Sequence, residues 1–476
     1  MKSIAIDLGA SSGRVIVGEI EKNRVILTEV YRFSNSGQES DKGLVWDISV
    51  IFQEILKGLN QAAEQFGSDF DSLAVDSWGL DYVLLNSDKK IILEPFHYRN
   101  TRTRNSQSRI EEILPKQTLF STTGIQFMEI NTLNQLYASN RDYPDETSSA
   151  EHFLMVSDYI TFLLTGIIIN ECTNASTTQL LHVHTNQWAY ELIEKLELPS
   201  RIFHPLTMPG TKIGTLLKTV AQKTGLQTNT TVIATASHDT AAAVAAVPCE
   251  MTIFNPGEWV YISSGTWSLI GVELNSPIVE PIALKHNFTN EKGVQKTVRF
   301  LKNITGMWII QECKKYWNID NPNLTWDEIN SQAEQADSLN RIIDVNHPDF
   351  LNPQNMLETV IDKIEIPSKM LSIGQITRTI YESMAYKYHE VIHQIEKITK
   401  IKPKIIYIVG GGSKVSILNQ LLANKTQLPV VCGPSEATAL GNLLIQAMAM
   451  EKVKDLTTIR NLIRASFTLD QYDVQS

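Results

Sequence analysis

The stretch Ser237-His238-Asp239 places a carboxylate just before an alanine-rich run that Pro248 ends. Alanine favours helix and proline stops it, so these residues predict the start of a short helix after a buried strand at 230–235. The first turn of a helix has unpaired N–H groups that attract anions. A phosphate donor and a carboxylate base could therefore meet here. The alternative is that Asp239 only caps the helix, because Asp is a preferred capping residue.

A second candidate lies at the start of the chain, where predicted strands at 3–8 and 14–20 flank a turn at 9–13. The turn holds two glycines and two serines, with Asp7 before it and Arg14 after it. Such a turn can direct N–H groups and hydroxyls at a phosphate while a carboxylate holds Mg²⁺. An ordinary Gly/Ser hairpin with an exposed aspartate is the alternative.

Two later turns extend this pattern. Ser263-Ser264-Gly265-Thr266 again joins two predicted strands, within 259–272. Gly410-Gly411-Gly412 follows a predicted strand at 404–409 and precedes a predicted helix. A glycine-rich turn in this position lets a nucleotide approach the backbone closely. By itself the triple glycine also suits a plain tight turn. The repeated Ser-Ser-Gly turn predicts two domains of similar plan, and the turn residues around Pro248 divide them into 1–245 and 246–476.

The stretch 73–85 predicts two strands joined across Asp76 and Asp81, with Trp78 between them. Trp78 could cover the apolar face of a sugar while Asp81 accepts hydrogen bonds from its hydroxyls. A buried tryptophan beside turn aspartates is the alternative. Helical spacing of apolar residues predicts helices at 48–65 and from Ile373 onward.

Composition limits the class of protein. A chain of 476 residues predicts two or three domains, and 43% hydrophobic with 20% charged residues is ordinary for a soluble globular protein. The net charge of -10 argues against nucleic-acid binding. Four widely separated cysteines favour neither a zinc module nor a disulfide framework. Asp7 interrupts any signal-peptide core, and the longest apolar stretch, 160–169, is too short to cross a membrane. We expect a cytoplasmic protein that binds neither membranes nor nucleic acid.

Together the motifs resemble the FGGY family of carbohydrate kinases, and the likeness runs from residue 3 to about 450. The stretches that carry it are 7–14, 78–85, 173–179, 237–240, 263–268, 301–303 and 433–438. The resemblance implies an α/β fold of two domains, shared with the ATPases actin, Hsp70 and hexokinase, with the active site in the interdomain cleft. The N-terminal domain would bind sugar and supply the first phosphate turn, and the C-terminal domain would bind nucleotide.

The resemblance also implies a role for individual residues. Asp239 would be the catalytic proton acceptor, and Asp7 would bind Mg²⁺. The residues expected to bind ATP are Ala10, Ser11, Ser12, Gly13, Arg14, Thr266, Gln311 and Gly411. The residues expected to bind the sugar are Gly79, His238, Asp239, Thr240 and Asn303.

The activity implied is the ATP- and Mg²⁺-dependent phosphorylation of L-rhamnulose on its C1 hydroxyl, giving L-rhamnulose 1-phosphate in L-rhamnose catabolism. The methyl end of that sugar would meet Trp78, Tyr82 and Phe127. Another ketose or polyol, such as L-fuculose, xylulose, ribulose or glycerol, is the alternative acceptor. A non-catalytic sensor that binds nucleotide and sugar is a minor alternative. The sequence leaves the oligomeric state open.

Overall fold

The computed structural model describes residues 1–21, 23–351 and 353–475. The chain forms two compact units. Unit 1 comprises Met1–Ala246, Leu274–Phe300 and Ala437–Ser466, and unit 2 comprises Val247–Glu273, Leu301–Glu436 and Phe467–Ser476. The chain therefore leaves unit 1 after the predicted boundary near residue 245 and re-enters it twice.

The helices and strands follow in chain order. Up to residue 246 they are β1 (Lys2–Leu8), β2 (Ser12–Glu21), β3 (Arg24–Ser34), β4 (Gln38–Ser40), β5 (Gly43–Val45), α1 (Ile48–Phe66), β6 (Ser72–Ser77), β7 (Tyr82–Leu85), α2 (Ser106–Ile113), α3 (Lys116–Thr123), α4 (Thr132–Asp142), α5 (Pro144–Ser148), β8 (His152–Met155), α6 (Val156–Thr165), β9 (Asn170–Glu171), α7 (Cys172–Ala175), β10 (Leu181–His182), β11 (Gln187–Trp188), α8 (Tyr190–Lys195), β12 (Leu206–Thr207), β13 (Thr211–Thr215), α9 (Lys218–Thr224), β14 (Thr231–Ala234) and α10 (Asp239–Ala245). Beyond it they are β15 (Trp259–Ser264), β16 (Trp267–Leu274), α11 (Pro281–Lys285), β17 (Thr289–Lys292), β18 (Val298–Thr305), α12 (Trp308–Asp320), α13 (Trp326–Gln335), α14 (Met356–Ile364), α15 (Ile373–Thr399), β19 (Ile405–Val409), α16 (Ser416–Thr426), β20 (Val430–Cys432), α17 (Ala437–Ala449), α18 (Leu456–Ser466) and β21 (Asp470–Tyr472).

A six-stranded sheet in the order β13-β14-β6-β1-β2-β3 forms the centre of unit 1. Strand β1 runs parallel to β6 and antiparallel to β2. Ile4, Ala5 and Ile6 of β1 are completely buried, as expected for a central strand covered on both faces. Helix α1 is amphipathic, and its buried side includes Ile51, Ile55 and Leu59.

A seven-stranded sheet has the order β17-β18-β16-β15-β19-β20-β21. Its central strand β15 runs antiparallel to β16 and parallel to β19, which is in turn parallel to β20. The six-stranded sheet has the same sequence of directions, with β1, β2, β6 and β14 in place of β15, β16, β19 and β20. The two sheets therefore share one plan, and in each the Ser-Ser-Gly turn joins the central strand to its antiparallel neighbour.

Most predicted elements are present, within a few residues at their ends. The long helix predicted from Ile373 is α15, and its apolar positions Ile376, Ile380, Met384 and Tyr388 are buried. The two strands predicted within 73–85 are β6 and β7, and they do not pair with each other. Strand β6 belongs to the six-stranded sheet, whereas β7 pairs with β8. The polar turn between them therefore connects two sheets.

The four cysteines Cys172, Cys249, Cys313 and Cys432 are free and buried. None of the helices in the described ranges combines the length and the hydropathy needed to cross a membrane.

Candidate active site

Three carboxylates of unit 1 lie where parallel strands end. Asp7 and Asp76 are paired in the register of the neighbouring parallel strands β1 and β6. The segment after β14 runs alongside the end of β6, where Ser77 forms a bridge with His238, and Asp239 follows at once. Ligands of open α/β sheets bind at the carboxyl ends of the strands, and these three acids lie at such an end.

Asp239 is the first residue of α10, and His238, not Asp239, occupies the capping position. Its Oδ1 accepts hydrogen bonds from the Thr240 backbone N–H at 2.5 Å and from the Thr240 hydroxyl at 3.1 Å. The side chain stays 31% exposed. Loss of surrounding water and the negative charge of Asp7 raise the pKa of Asp239. The structure thus holds one carboxylate oxygen firmly and leaves part of the group accessible at the positive end of a helix.

The other two carboxylates have different partners. Asp7 forms an ion pair with Arg14, which lies opposite it across β1 and β2. Asp76 is fully buried, and its Oδ2 accepts a hydrogen bond from Asn442 Nδ2 of α17 at 2.5 Å. Burial, then the charges of Asp7 and Asp239, raise the pKa of Asp76 well above its usual value. Among the described residues, Asp76 Oδ1 has no hydrogen-bond partner.

Gly79 lies in the turn that connects β6 to β7. A Cβ atom at this position would lie 3.0 Å from Thr177 Oγ1 and 3.4 Å from His238 Nε2. The next residue, Leu80, has a φ of 78°, a conformation that L-residues rarely adopt. Gly79 therefore keeps open a space bordered by Thr177 and His238.

The hypothesis that Asp81 binds sugar hydroxyls was wrong. Asp81 is completely buried, and its two oxygens accept four hydrogen bonds from protein donors. The donors are Trp46 Nε1 at 2.6 Å, Trp78 Nε1 at 3.0 Å, the Tyr98 backbone N–H at 3.2 Å and Gln135 Nε2 at 2.9 Å. Burial raises the pKa of Asp81 to about 6, although these hydrogen bonds oppose the shift. Asp81 holds the strained turn that carries Gly79.

Trp78, Tyr82 and Phe127 are also buried, with 6%, 6% and 7% of their surface exposed. Trp78 is in ring contact with Trp46, and the Tyr82 hydroxyl is 2.8 Å from that of Ser139.

Sequence reasoning did not identify Glu171, yet this residue anchors the segment that leads into α10. Its Oε2 accepts hydrogen bonds from the Ser237 backbone N–H at 3.1 Å and the Ser237 hydroxyl at 2.8 Å. The hydroxyl of Thr173 also donates to Oε2 and accepts the His238 backbone N–H at 3.3 Å. Glu171 therefore fixes the backbone just ahead of Asp239.

In unit 2, the turn after β15 packs against two other loops. The carbonyl of Thr266 accepts the backbone N–H groups of Gly306 and Trp308, each at 3.2 Å. A Cβ at Gly412 would lie 2.1 Å from Ser264 Oγ, and one at Gly410 would lie 2.8 Å from the Ser264 carbonyl oxygen. Only glycine allows the triple-glycine turn to approach the Ser-Ser-Gly turn so closely.

The remaining predicted residues of unit 2 lie on or next to the segments that pack against this turn. Asn303 is half-buried in β18, three residues before Gly306. Gln311 lies in the first turns of α12, and its backbone N–H donates to the carbonyl of Met307. Gly411 is exposed at the triple-glycine turn.

In unit 1, the loop residues Ala10 to Ser12 are exposed or half-buried, and Gly13 is buried beneath the ring of Phe33.

Comparison with known protein families covers almost the whole chain. Residues 3–246 match the N-terminal domain of the FGGY family of carbohydrate kinases, and residues 260–450 match its C-terminal domain. The chain belongs to this family. It is a carbohydrate kinase, so the predicted fold class and the predicted transfer of phosphate from ATP to a sugar are confirmed.

Curated relatives extend over the full chain. A rhamnulokinase of Oceanobacillus iheyensis is 40% identical over 99% of this chain and 98% of its own length. Rhamnulokinases of Bacillus subtilis and Bacteroides thetaiotaomicron are 38% and 36% identical, over 98% and 99% of this chain and 94% and 95% of theirs.

Solved structures of more distant proteins share the fold. A xylulose kinase from Lactobacillus acidophilus superposes with a TM-score of 0.80 at 17% identity, covering all of this chain and 94% of that one. Plasmodium falciparum glycerol kinase with ADP superposes with a TM-score of 0.77 at 13% identity, with the same coverage.

Proposed function

We propose that this kinase phosphorylates L-rhamnulose on its C1 hydroxyl, giving L-rhamnulose 1-phosphate. The observation that carries the chemistry is Asp239, a partly exposed carboxylate at the first residue of α10 with Asp7 nearby. The acceptor is supported by the relatives named rhamnulokinase, which are 36–40% identical over nearly the full chain. ATP is the phosphate donor. We place the enzyme in the cytoplasm, where ATP is available.

Asp239 is the proton acceptor in this proposal. Phosphoryl transfer depends mainly on positioning and electrostatics, because charge spreads over the oxygens of the transferred group. Asp239 orients the C1 hydroxyl and takes its proton as the bond to phosphorus forms. The raised pKa makes Asp239 a better base than an ordinary carboxylate. The N–H groups at the start of α10 favour negative charge at the same place.

The other predicted residues take the roles that their positions support. Gly79, His238 and Thr240 of unit 1 bind the sugar, and the family resemblance gives Asn303 the same role. The turn Ala10 to Arg14 binds the phosphates of ATP from unit 1. Thr266, Gln311 and Gly411 of unit 2 bind the nucleotide, supported by the close approach of the triple-glycine turn to the Ser-Ser-Gly turn.

The carboxylates of unit 1 fit a magnesium ion that arrives with the nucleotide. Mg²⁺ in such enzymes is held by one or two carboxylates together with substrate phosphates and water. Asp7 and Oδ1 of Asp76, which has no hydrogen-bond partner among the described residues, are suitable donors, and the two residues are paired in the register of β1 and β6. In the described ranges no three His, Cys, Asp or Glu side chains form a metal site by themselves, so phosphate oxygens would complete the shell. The bound ion would neutralise charge on the triphosphate.

Activity is therefore expected to require Mg²⁺ or Mn²⁺, and Asp7→Ala should raise the metal concentration needed for half-maximal rate or abolish activity. The physical reason is that the chain, with a net charge of -10, must bind a polyanion with few basic groups nearby. Metal titrations of ADP release measure this, with exposed Asp69→Ala as the matched control. A full rate in excess EDTA would contradict the metal role.

The acceptor is tested by comparing kcat/KM for L-rhamnulose, L-fuculose, L-xylulose, D-xylulose, L-ribulose and glycerol. L-rhamnulose should give the highest value. Its terminal methyl group can contribute only about 1–3 kcal/mol in an apolar pocket, so L-fuculose should react slowly rather than not at all. If another acceptor exceeds L-rhamnulose tenfold, the kinase assignment stands and the proposed substrate is wrong.

A further inference from the structure

The imidazole ring of His238 has charged neighbours on both of its nitrogen atoms. On one side, Nε2 lies 3.4 Å from Asp239 Oδ1. On the other side, Nδ1 lies 3.1 Å from Nη2 of Arg299 and 3.4 Å from Oε2 of Glu291. His238 and Arg299 are buried, and all four residues belong to unit 1.

The partner of Nδ1 decides which nitrogen carries the proton. A guanidinium group has only donors, so a hydrogen bond between Arg299 and His238 requires a lone pair on Nδ1. The neutral ring then carries its proton on Nε2, the atom that faces Asp239. If Nδ1 instead donated to Glu291, Nε2 would hold the lone pair and face the Asp239 carboxylate with no proton to share.

Two further contacts of Arg299 favour the first arrangement. Arg299 is completely buried, and its Nε donates to the Lys292 carbonyl at 3.0 Å, which fixes the plane of the guanidinium. Its Nη1 forms an ion pair with Glu291 Oε2 at 3.1 Å. The carboxylate of Glu291 is therefore nearer to Arg299 than to His238, and it balances the buried positive charge.

We propose that Arg299 is a positioning residue that fixes His238 as the neutral tautomer protonated on Nε2. The ring then presents a permanent hydrogen-bond donor both to Asp239 Oδ1 and to the space above Gly79, where a Cβ would lie 3.4 Å from Nε2. The donor orients Asp239, which remains the only base at this point, and it recognises an acceptor oxygen of the substrate beside Gly79. The catalytic part of this inference rests on the proposed function, whereas the tautomer itself does not.

The wild-type protein provides the first test, with no variant of Arg299 required. Histidine labelled with ¹⁵N should show, for His238, an unprotonated Nδ1 and a protonated Nε2. Loss of the corresponding signals in His238→Gln identifies them among the ten histidines of the chain. A protonated Nδ1 with an unprotonated Nε2, or a doubly protonated ring, would overturn the proposal.

Arg299→Met removes the donor while keeping an unbranched side chain of similar length. The Nδ1 proton should then appear, because Glu291 becomes the nearest partner of that nitrogen. For metal-bound histidines, loss of the partner that orients the ring costs about 10- to 100-fold in activity, and we expect kcat/KM for the sugar to fall by the same range. The KM for ATP should be unchanged.

Arg460→Met is the matched control for the loss of a buried arginine. Arg460 is also completely buried in unit 1, where its Nη2 donates at 3.2 Å to the carbonyl of Val244, near the end of α10 opposite His238. Both variants should lower the melting temperature, but only Arg299→Met should change the His238 tautomer. If Arg299→Met leaves both tautomer and kcat/KM unchanged, Arg299 does not position His238. If the wild-type protein shows the expected tautomer but phosphorylates no sugar, the proposed function fails and the tautomer assignment stands.

Discussion

Replacing Asp239 with Asn should lower kcat for sugar-dependent ADP formation by about 10²- to 10⁴-fold, the usual cost of removing a general base. Asn has nearly the same shape, and its amide oxygen can still accept the backbone N–H and the hydroxyl of Thr240 that now hold Oδ1. It cannot take a proton from the sugar hydroxyl. Binding of sugar and nucleotide should therefore remain close to that of the wild-type enzyme.

The pH dependence of kcat/KM is a second test of Asp239 as the proton acceptor. Burial and the charge of Asp7 raise the pKa of Asp239, so the group stays protonated to a higher pH than an ordinary carboxyl. A protonated Asp239 cannot act as a base. We therefore expect kcat/KM to rise with pH through the raised pKa and then to level off, and we expect this acid limb to be absent in Asp239→Asn.

Three measurements on purified protein separate effects on catalysis, binding and stability. They are steady-state kinetics, calorimetric titration of each ligand and a melting curve. Asp69→Asn, an exposed change in the same unit, is the control. A variant that keeps near wild-type turnover would refute the catalytic assignment and would leave Asp239 with its role at the start of the helix.

Local chemistry was predictable because each turn carries its own signal. Asp7, the Gly/Ser turn and Arg14 lie within eight consecutive residues, and the strands that flank them follow from apolar alternation. The register that pairs Asp7 with Arg14 needs nothing beyond this hairpin. The same holds for the turn at Ser264, because its two strands are also neighbours in the sheet.

Contacts between distant segments could not be predicted in this way. Asn442 donates to Asp76 across 366 residues of chain, and Glu171 binds Ser237 across 66. Asp81 was misread for a related reason. An aspartate between a tryptophan and a tyrosine is equally consistent with a residue that contacts sugar and with a buried hydrogen-bond acceptor. The hydrogen bonds donated by Trp46 and Gln135 decide between these two roles.

The alanine run after Asp239 has two physical reasons, helix formation and close packing, and only the first is visible in the sequence. Alanine favours helix, which was sufficient to predict α10. The structure shows that Ala241, Ala242 and Ala243 are also at most 1% exposed. Helix α17 passes so close that a Cβ at Gly441 would lie 1.8 Å from the Ala242 carbonyl oxygen. Small side chains in both helices are therefore a requirement of packing.

Gly441→Ala should consequently destabilise unit 1, although Gly→Ala within a helix normally stabilises by about 1 kcal/mol. A contact of 1.8 Å cannot be relieved by rotating a side chain, because the opposing atom belongs to the backbone of α10. The helices must separate, and overpacking of this kind costs about 1–3 kcal/mol or more. We expect a loss of about 3 kcal/mol, at the upper end of that range. Thr438→Ala in the same helix is half-buried and serves as the matched control.

The same substitution should also lower kcat, because α10 carries Asp239 at its first residue. Separation of α17 from α10 moves that carboxylate, and it also moves Asn442, which holds Asp76. Melting curves at a fixed scan rate and kinetics below the melting temperature measure the two effects separately. Thr438→Ala should keep or raise the melting temperature and keep kcat. If Gly441→Ala does the same, the two helices can move apart without cost, and their close packing does not position the catalytic residue.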